Sequence, residues 1–147
     1  MKNKIVKSIL LLVILLVIID QGSKILITQL VKQPLGNEFI GLEIVNNTGM
    51  ALGFNEGNIK NIVLSVCVLI LIMWFIKNQG DRIDDKTKIA LSIVIAGGIS
   101  NLIDRIFRGA VLDFLKIYKF PIFNVADIYV VIGWILLVIF LIQYSKK

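Results

Sequence analysis

Residues 62–76 read I-V-L-S-V-C-V-L-I-L-I-M-W-F-I, an unbroken run without a charge, ended by Lys77. Three further runs have the same character: S-I-L-L-L-V-I-L-L-V-I-I at 8–19, I-A-L-S-I-V-I-A-G-G-I-S-N-L-I at 89–103, and I-Y-V-V-I-G-W-I-L-L-V-I-F-L-I at 128–142. The chain has 147 residues, of which 57% are hydrophobic, and its mean hydropathy is +0.87. A soluble domain would be about half apolar. Here the excess is gathered into four blocks, the pattern of membrane-spanning helices.

A helix needs about 20 residues to cross the hydrocarbon layer. Each uncharged run is shorter, so each span must take in polar residues at one end. The expected spans are about 5–27, 59–77, 88–107 and 122–144, within a single membrane domain, 1–147. The basic start followed by Ser8–Ile19 resembles a signal peptide. No small-residue cleavage site follows and further spans do, so it reads as an uncleaved first helix.

Between the first two spans, about 28–58 carries Pro34 and glycines 36, 41, 49, 53 and 57. Loose alternation over Phe39–Val45 predicts short strands joined by turns. The expected fold is a membrane all-α bundle of four transmembrane helices with a small extracytoplasmic β-rich platform.

The net charge of +6 comes from lysines and arginines that flank the spans. With both termini inside, nine lie on the inner side and seven on the outer, a bias in the direction of the positive-inside rule. No basic stripe interleaves with aromatics, so nucleic acid is not an expected partner. The one cysteine, Cys67, lies within an apolar run and can form neither an internal disulfide nor a metal motif. Histidine is absent. That removes Ser-His-Asp and Cys-His catalysis and the HExxH metal site, leaving carboxylates and lysines for acid–base chemistry.

Charges inside a span cost about 2.5–3.5 kcal/mol each at the bilayer centre and persist when paired or functional. Asp20 and Lys24 are four residues apart and share a helix face. They are either a self-compensating pair or the support of a site. Asn101 and Asp104, near the end of the third span, also share a face, while Arg105 points elsewhere and could meet a different partner.

Asp113 follows the third span and Asp127 begins the fourth, so both belong to the same face of the membrane. Two carboxylates at one depth can hydrolyse a peptide. One accepts a proton from water, while the other, kept protonated by mutual repulsion, donates to the carbonyl oxygen. Such chemistry needs no metal, cofactor or covalent intermediate. On spacing alone the two could equally be unrelated loop-edge aspartates. Asn124 precedes Asp127 by three residues, and Asn47 lies in the glycine-rich N-N-T-G-M-A-L-G-F segment.

Five blocks occur in order: D-Q-G-S-K at 20–24, N-T-G-M-A-L-G at 47–53, G-G-I-S-N-L-I-D-R at 97–105, V-L-D-F at 111–114 and P-I-F-N-V-A-D at 121–127. In these the chain resembles the lipoprotein signal peptidases, signal peptidase II, over essentially its whole length. The resemblance implies a bacterial membrane aspartic endopeptidase that removes the signal peptide of a prolipoprotein just before a diacylglyceryl-modified cysteine. It implies catalytic Asp113 and Asp127, with Asp20, Lys24, Asn47, Asn101, Asp104, Arg105 and Asn124 lining or supporting the site. It also implies inhibition by globomycin and a place in the cytoplasmic membrane, with cytoplasmic termini and an extracytoplasmic site. A monomer in contact with membrane lipids is expected. Ser100 stands where the family usually has glycine, and Met50 and Leu52 where alanine and an aromatic are usual. These departures touch packing and substrate contact, not proton transfer.

Two rival readings make different demands. A small ion-coupled transporter should carry ionisable groups or broken helices near the midplane, but here the central parts of spans two to four are uncharged. A non-catalytic scaffold would not require carboxylates at matched depth.

Overall fold

In lipid every backbone polar group must be satisfied within the protein, so the apolar runs become helices. The computed structural model describes residues 2–49, 58–80 and 83–145. Its elements are α1 (Lys2–Leu30), β1 (Leu35–Gly36), β2 (Ile40–Asn47), α2 (Asn58–Gln79), α3 (Asp85–Phe107), β3 (Val111–Ile117) and α4 (Val125–Ser145). All four helices contain stretches long and apolar enough to cross a membrane. Met50 and Leu52 lie outside the described residues, as does most of the 47–53 block.

The third helix is the centre of the bundle. It packs against α1, α2 and α4, and 44% of its spanning window is buried, against 11–17% for the others. Its composition suits that place. Between lipid-bathed helices there is little hydrophobic driving force, and small residues that allow close approach take over. A Cβ on Gly97 would lie 2.5 Å from the Ala126 carbonyl oxygen, and one on Gly133 2.6 Å from Val94 Cγ2. The α3–α4 contact therefore closes at two glycines, one from each helix.

The bundle divides along its length. One part is an apolar cluster of Ile72, Ala90, Leu91, Val94 and Leu137. The other buries Asp20, Lys24, Ser100, Asp104 and Asn124. The remaining faces of the helices show leucine, isoleucine and valine outward, as Leu11, Leu71 and Val131 do, which suits a hydrocarbon solvent. Cys67 is exposed on α2.

The strands form one antiparallel sheet in the order β1-β2-β3. Asn37 turns the first hairpin, its Oδ1 accepting from the backbone N–H of Phe39 (2.8 Å) and Ile40 (2.9 Å). The adjoining Gly36 has φ +107°, and a Cβ there would strike the Ile40 carbonyl at 2.4 Å. The platform is thus β-rich as expected, but not confined to 28–58. Residues 28–30 finish α1, and the third strand comes from between α3 and α4. After β3 the chain doubles back through Tyr118, and Phe123 pairs with Leu115 by a short bridge. That return delivers Asn124 to the start of α4.

Candidate active site

The first turn of α4 has orphan N–H groups that something must satisfy. Asn124 Oδ1 accepts from the N–H of Asp127 (2.9 Å), and Asp127 Oδ2 accepts from the N–H of Asn124 (3.1 Å). This reciprocal pair is a capping box in which the acidic member is Asp127. Asp20 reaches across from α1 and accepts from the N–H of Ala126 at 2.8 Å. Both carboxylates sit at the positive end of the helix dipole, where negative charge is favoured. Asn124 therefore precedes the helix as its cap, where a span beginning near 122 would have placed it inside.

Asn124 also joins the two sides of the site. Its Nδ2 donates to Asp113 Oδ1 (2.7 Å) and to Asn101 Oδ1 (3.1 Å), and Asn101 Nδ2 donates to Asp127 Oδ1 (2.8 Å). Asn124 is completely buried, so every hydrogen-bonding group of its amide is committed.

Asp113 lies in β3 opposite Val45 of β2. Its Oδ2 accepts from Asn47 Nδ2 at 2.9 Å. Only 2% of it is exposed. Burial pushes its carboxyl up to about 6. The neighbouring Asp127 charge adds to the rise, while hydrogen bonds from Asn47 and Asn124 and the charge of Lys24 oppose it. A carboxyl tuned to that range can hold a proton near neutrality and release it.

Beside the pair lies a fully buried charge cluster. Lys24 Nζ is 2.7 Å from Asp20 Oδ2 and 2.7 Å from Asp104 Oδ2, so the lysine closes the pair within α1 and is shared with α3 as well. It also reaches Asn101 Oδ1 at 3.4 Å. Asp104 accepts from the N–H of Leu112 (3.2 Å) and from Gln21 Nε2 (3.1 Å), and pairs with Arg108. It fastens the strand that carries Asp113 to the helix that carries Lys24.

Arg105, about 100° round the helix from its neighbour Asp104, does take a different partner. It donates to the Gly49 carbonyl at 3.1 Å. Asn61, buried at the start of α2, donates to the Thr48 carbonyl at 2.8 Å, and Asn58 to the Arg105 carbonyl at 3.0 Å. These bonds fix the corner that presents Asn47.

Asp113 and Asp127 line one cavity of about 420 Å³ with Asn47, Asn101 and Arg105. Asp20, Lys24, Asp104 and Asn124 stand behind that wall. Sequence reasoning missed Gln21, Asn58, Asn61 and Arg108, and read Ser100 only as a departure in packing. Ser100 Oγ donates to Asp20 Oδ2 at 2.6 Å and accepts from Gln21 Nε2 at 3.1 Å, so the serine in a glycine place has bonds of its own. Neutral polar side chains beside apolar runs were the available signal for Gln21, Asn58 and Asn61, and the i, i+4 spacing from Asp104 the signal for Arg108.

A family model described as signal peptidase (SPase) II matches residues 12–143. The lipoprotein signal peptidase of Fusobacterium nucleatum is 34% identical, covering 92% of this chain and 87% of that one. The lipoprotein signal peptidase of Borrelia hermsii is also 34% identical, covering 95% and 91%. Two solved structures, each described as a bacterial membrane enzyme obtained by the in meso method, are 30% identical to this chain. One aligns with a TM-score of 0.82 over 95% of this chain and 90% of its own, the other with 0.77 over 90% and 91%. Sequence and fold agree over nearly the full length of both partners, and this multi-pass membrane protein belongs to the signal peptidase II family.

Proposed function

We propose that Asp113 and Asp127 are the catalytic dyad of an endopeptidase that cuts a prolipoprotein just before its diacylglyceryl-modified cysteine. The observation that carries the reading is one cavity lined by both carboxylates, each held by asparagine amides that share Asn124. One carboxylate takes a proton from water as the oxygen attacks the scissile carbonyl. Its protonated partner donates to the carbonyl oxygen, giving a tetrahedral diol. Collapse breaks the C–N bond, with a proton passing to the leaving amine and the dyad returning to one shared proton. Asn47, Asn101 and Arg105 hold and flank the carboxylates, while the Asp20–Lys24–Asp104 cluster and Asn124 keep α1, α3, β3 and α4 in register around them.

The cavity wall continues down α4 through Val130 and Val131. An apolar signal segment lying in the bilayer has a complementary surface there, and the lipid anchor confines the scissile bond to that depth before chemistry begins. Acting as a monomer, with termini in the cytoplasm and the sheet outside, the enzyme would meet its substrate at the outer leaflet.

Asp113→Asn and Asp127→Asn are each expected to abolish conversion of a diacylglyceryl prolipoprotein while the protein still inserts and accumulates. Near-normal conversion by either variant, read as a mobility shift on a gel, would remove that residue from the dyad. Inhibition of the unmodified enzyme by globomycin is expected as well, and tests the family assignment separately.

A further inference from the structure

A second cavity of about 400 Å³ adjoins the first and shares Asn47, Asp113, Pro121 and Ile122 with it. The two differ in character. Beyond the shared residues the first carries Asn101, Arg105 and Asp127 and is otherwise walled by apolar groups, among them Phe123, Val130 and Val131. Val130 and Val131 follow Asp127 by three and four residues, about 5 Å further along α4 at ~1.5 Å per residue. The second is walled by the end of β2 and its corner, Val45–Gly49, on the sheet.

A peptide with its scissile carbonyl at Asp113 and Asp127 must leave in two directions. In a lipoprotein precursor these have opposite chemistry. The residues before the cysteine are an apolar membrane segment, and those after it begin a water-soluble chain. We propose that the Val45–Gly49 groove is the subsite for the residues immediately following the modified cysteine, bound as a short extended peptide segment. This assignment rests on the proteolytic reading above.

The groove wall is built to hold its shape. Asn47 Oδ1 accepts from the N–H of Gly49 at 2.9 Å, and Asn61 and Arg105 hold the Thr48 and Gly49 carbonyls at 2.8 and 3.1 Å. Asn47 uses its other amide atom on Asp113, at 2.9 Å. A segment seated in the groove therefore presses on the corner whose asparagine holds the Asp113 carboxyl, so its fit registers in turnover and in binding together. The Thr48 and Val45 side chains are exposed on the rim, which makes them the positions that meet side chains of an incoming segment.

The test uses the full-length enzyme in detergent micelles and two lipidated precursors, with Glu-Glu or Lys-Lys as the second and third residues of the mature sequence. Thr48→Lys is expected to raise the ratio of kcat/KM for the Glu-Glu over the Lys-Lys substrate by about threefold, and Thr48→Glu to lower it by as much, the scale of an exposed ion pair. The same charges placed before the cysteine are expected to leave the ratio unmoved. Ratios within about 1.5-fold of the unmodified enzyme in both variants would overturn the subsite, being below the weakest useful exposed pair. So would a response only to charges before the cysteine. If either Thr48 variant fails to accumulate, Val45→Lys and Val45→Glu give the same reading. Failure of the unmodified enzyme to convert either precursor would instead refute the proteolytic reading itself.

Discussion

Lys24→Met tests whether the buried cluster holds the site together. Lys24, Asp20 and Asp104 have no exposed side-chain surface, and the lysine lies 2.7 Å from each carboxylate. At that separation and an effective dielectric of about 20, each contact is worth roughly 6 kcal/mol before desolvation is subtracted. Arg108 remains beside Asp104, so losing Lys24 leaves one uncompensated negative charge, nearest to Asp20. Breaking a buried pair from one side typically costs about 3–5 kcal/mol, a large part of the roughly 5–15 kcal/mol that holds a folded protein together. The double variant Lys24→Met with Asp20→Asn removes the stranded charge. The amide oxygen can still accept from the Ala126 N–H, and the amide nitrogen can face Ser100. The expected result is a large fall in thermal midpoint for the single variant and recovery of at least half of it in the double, read by thermal unfolding in one detergent at one pH. A single variant losing less than about 1 kcal/mol, the range of surface pairs, would refute the argument. So would a double variant no more stable than the single.

Three other perturbations separate holding the site from performing the chemistry. Asn124→Ala removes a helix cap worth about 1 kcal/mol together with the donor to Asp113, so turnover should fall by about a hundredfold, as for a 1 Å misplacement. Asn124→Ser restores the cap and is expected to recover the thermal midpoint but not the rate. Asn47→Leu removes a hydrogen bond that holds the Asp113 carboxyl down, so that carboxyl rises further above 6 and keeps its proton to higher pH. The alkaline limb of kcat/KM should move upward. Because a carboxyl raised in the folded state contributes stability below its unfolded value and loses it as pH rises through the folded one, the variant's thermal midpoint should fall more at pH 8 than at pH 4. Gly97→Ala drives a methyl against the Ala126 carbonyl and Gly133→Ala one against Val94. Both should cost about 1–3 kcal/mol as overpacking does, but only Gly97→Ala displaces the turn bearing Asp127 and should lower kcat, measured below both midpoints.

Much of this was legible because lipid leaves the backbone few choices. The uncharged runs had to be helices, and charges such as Asp20, Lys24, Asp104 and Arg105 stood out against them. The second strand showed through its alternation. The third did not, for a physical reason. Val111, Leu112, Asp113 and Phe114 are all buried, so both faces are covered and the two-residue period vanishes from the hydropathy pattern. The turn at Tyr118, whose φ is +38°, carries no glycine to announce it. The N-V-A-D spacing before an apolar run was a readable capping signature, and it marks where the fourth helix begins. Gln21 and Asn61 stayed hidden because a neutral polar residue in a span lacks the penalty that makes a charge conspicuous.

The capping box at α4 has an evolutionary consequence. Asp127 bonds the Asn124 N–H that begins the helix, so the atom group assigned to activating water also seals a helix end. Duplicated copies of most enzymes can shed their catalytic residues and persist as inert binding proteins. A descendant of this chain that lost Asp127 would lose a helix cap with its chemistry, leaving an acceptor to be replaced before any new role could be tried. The fold thereby selects against silent decay, and an inactive descendant is expected to carry asparagine or serine at 127 in preference to any apolar residue.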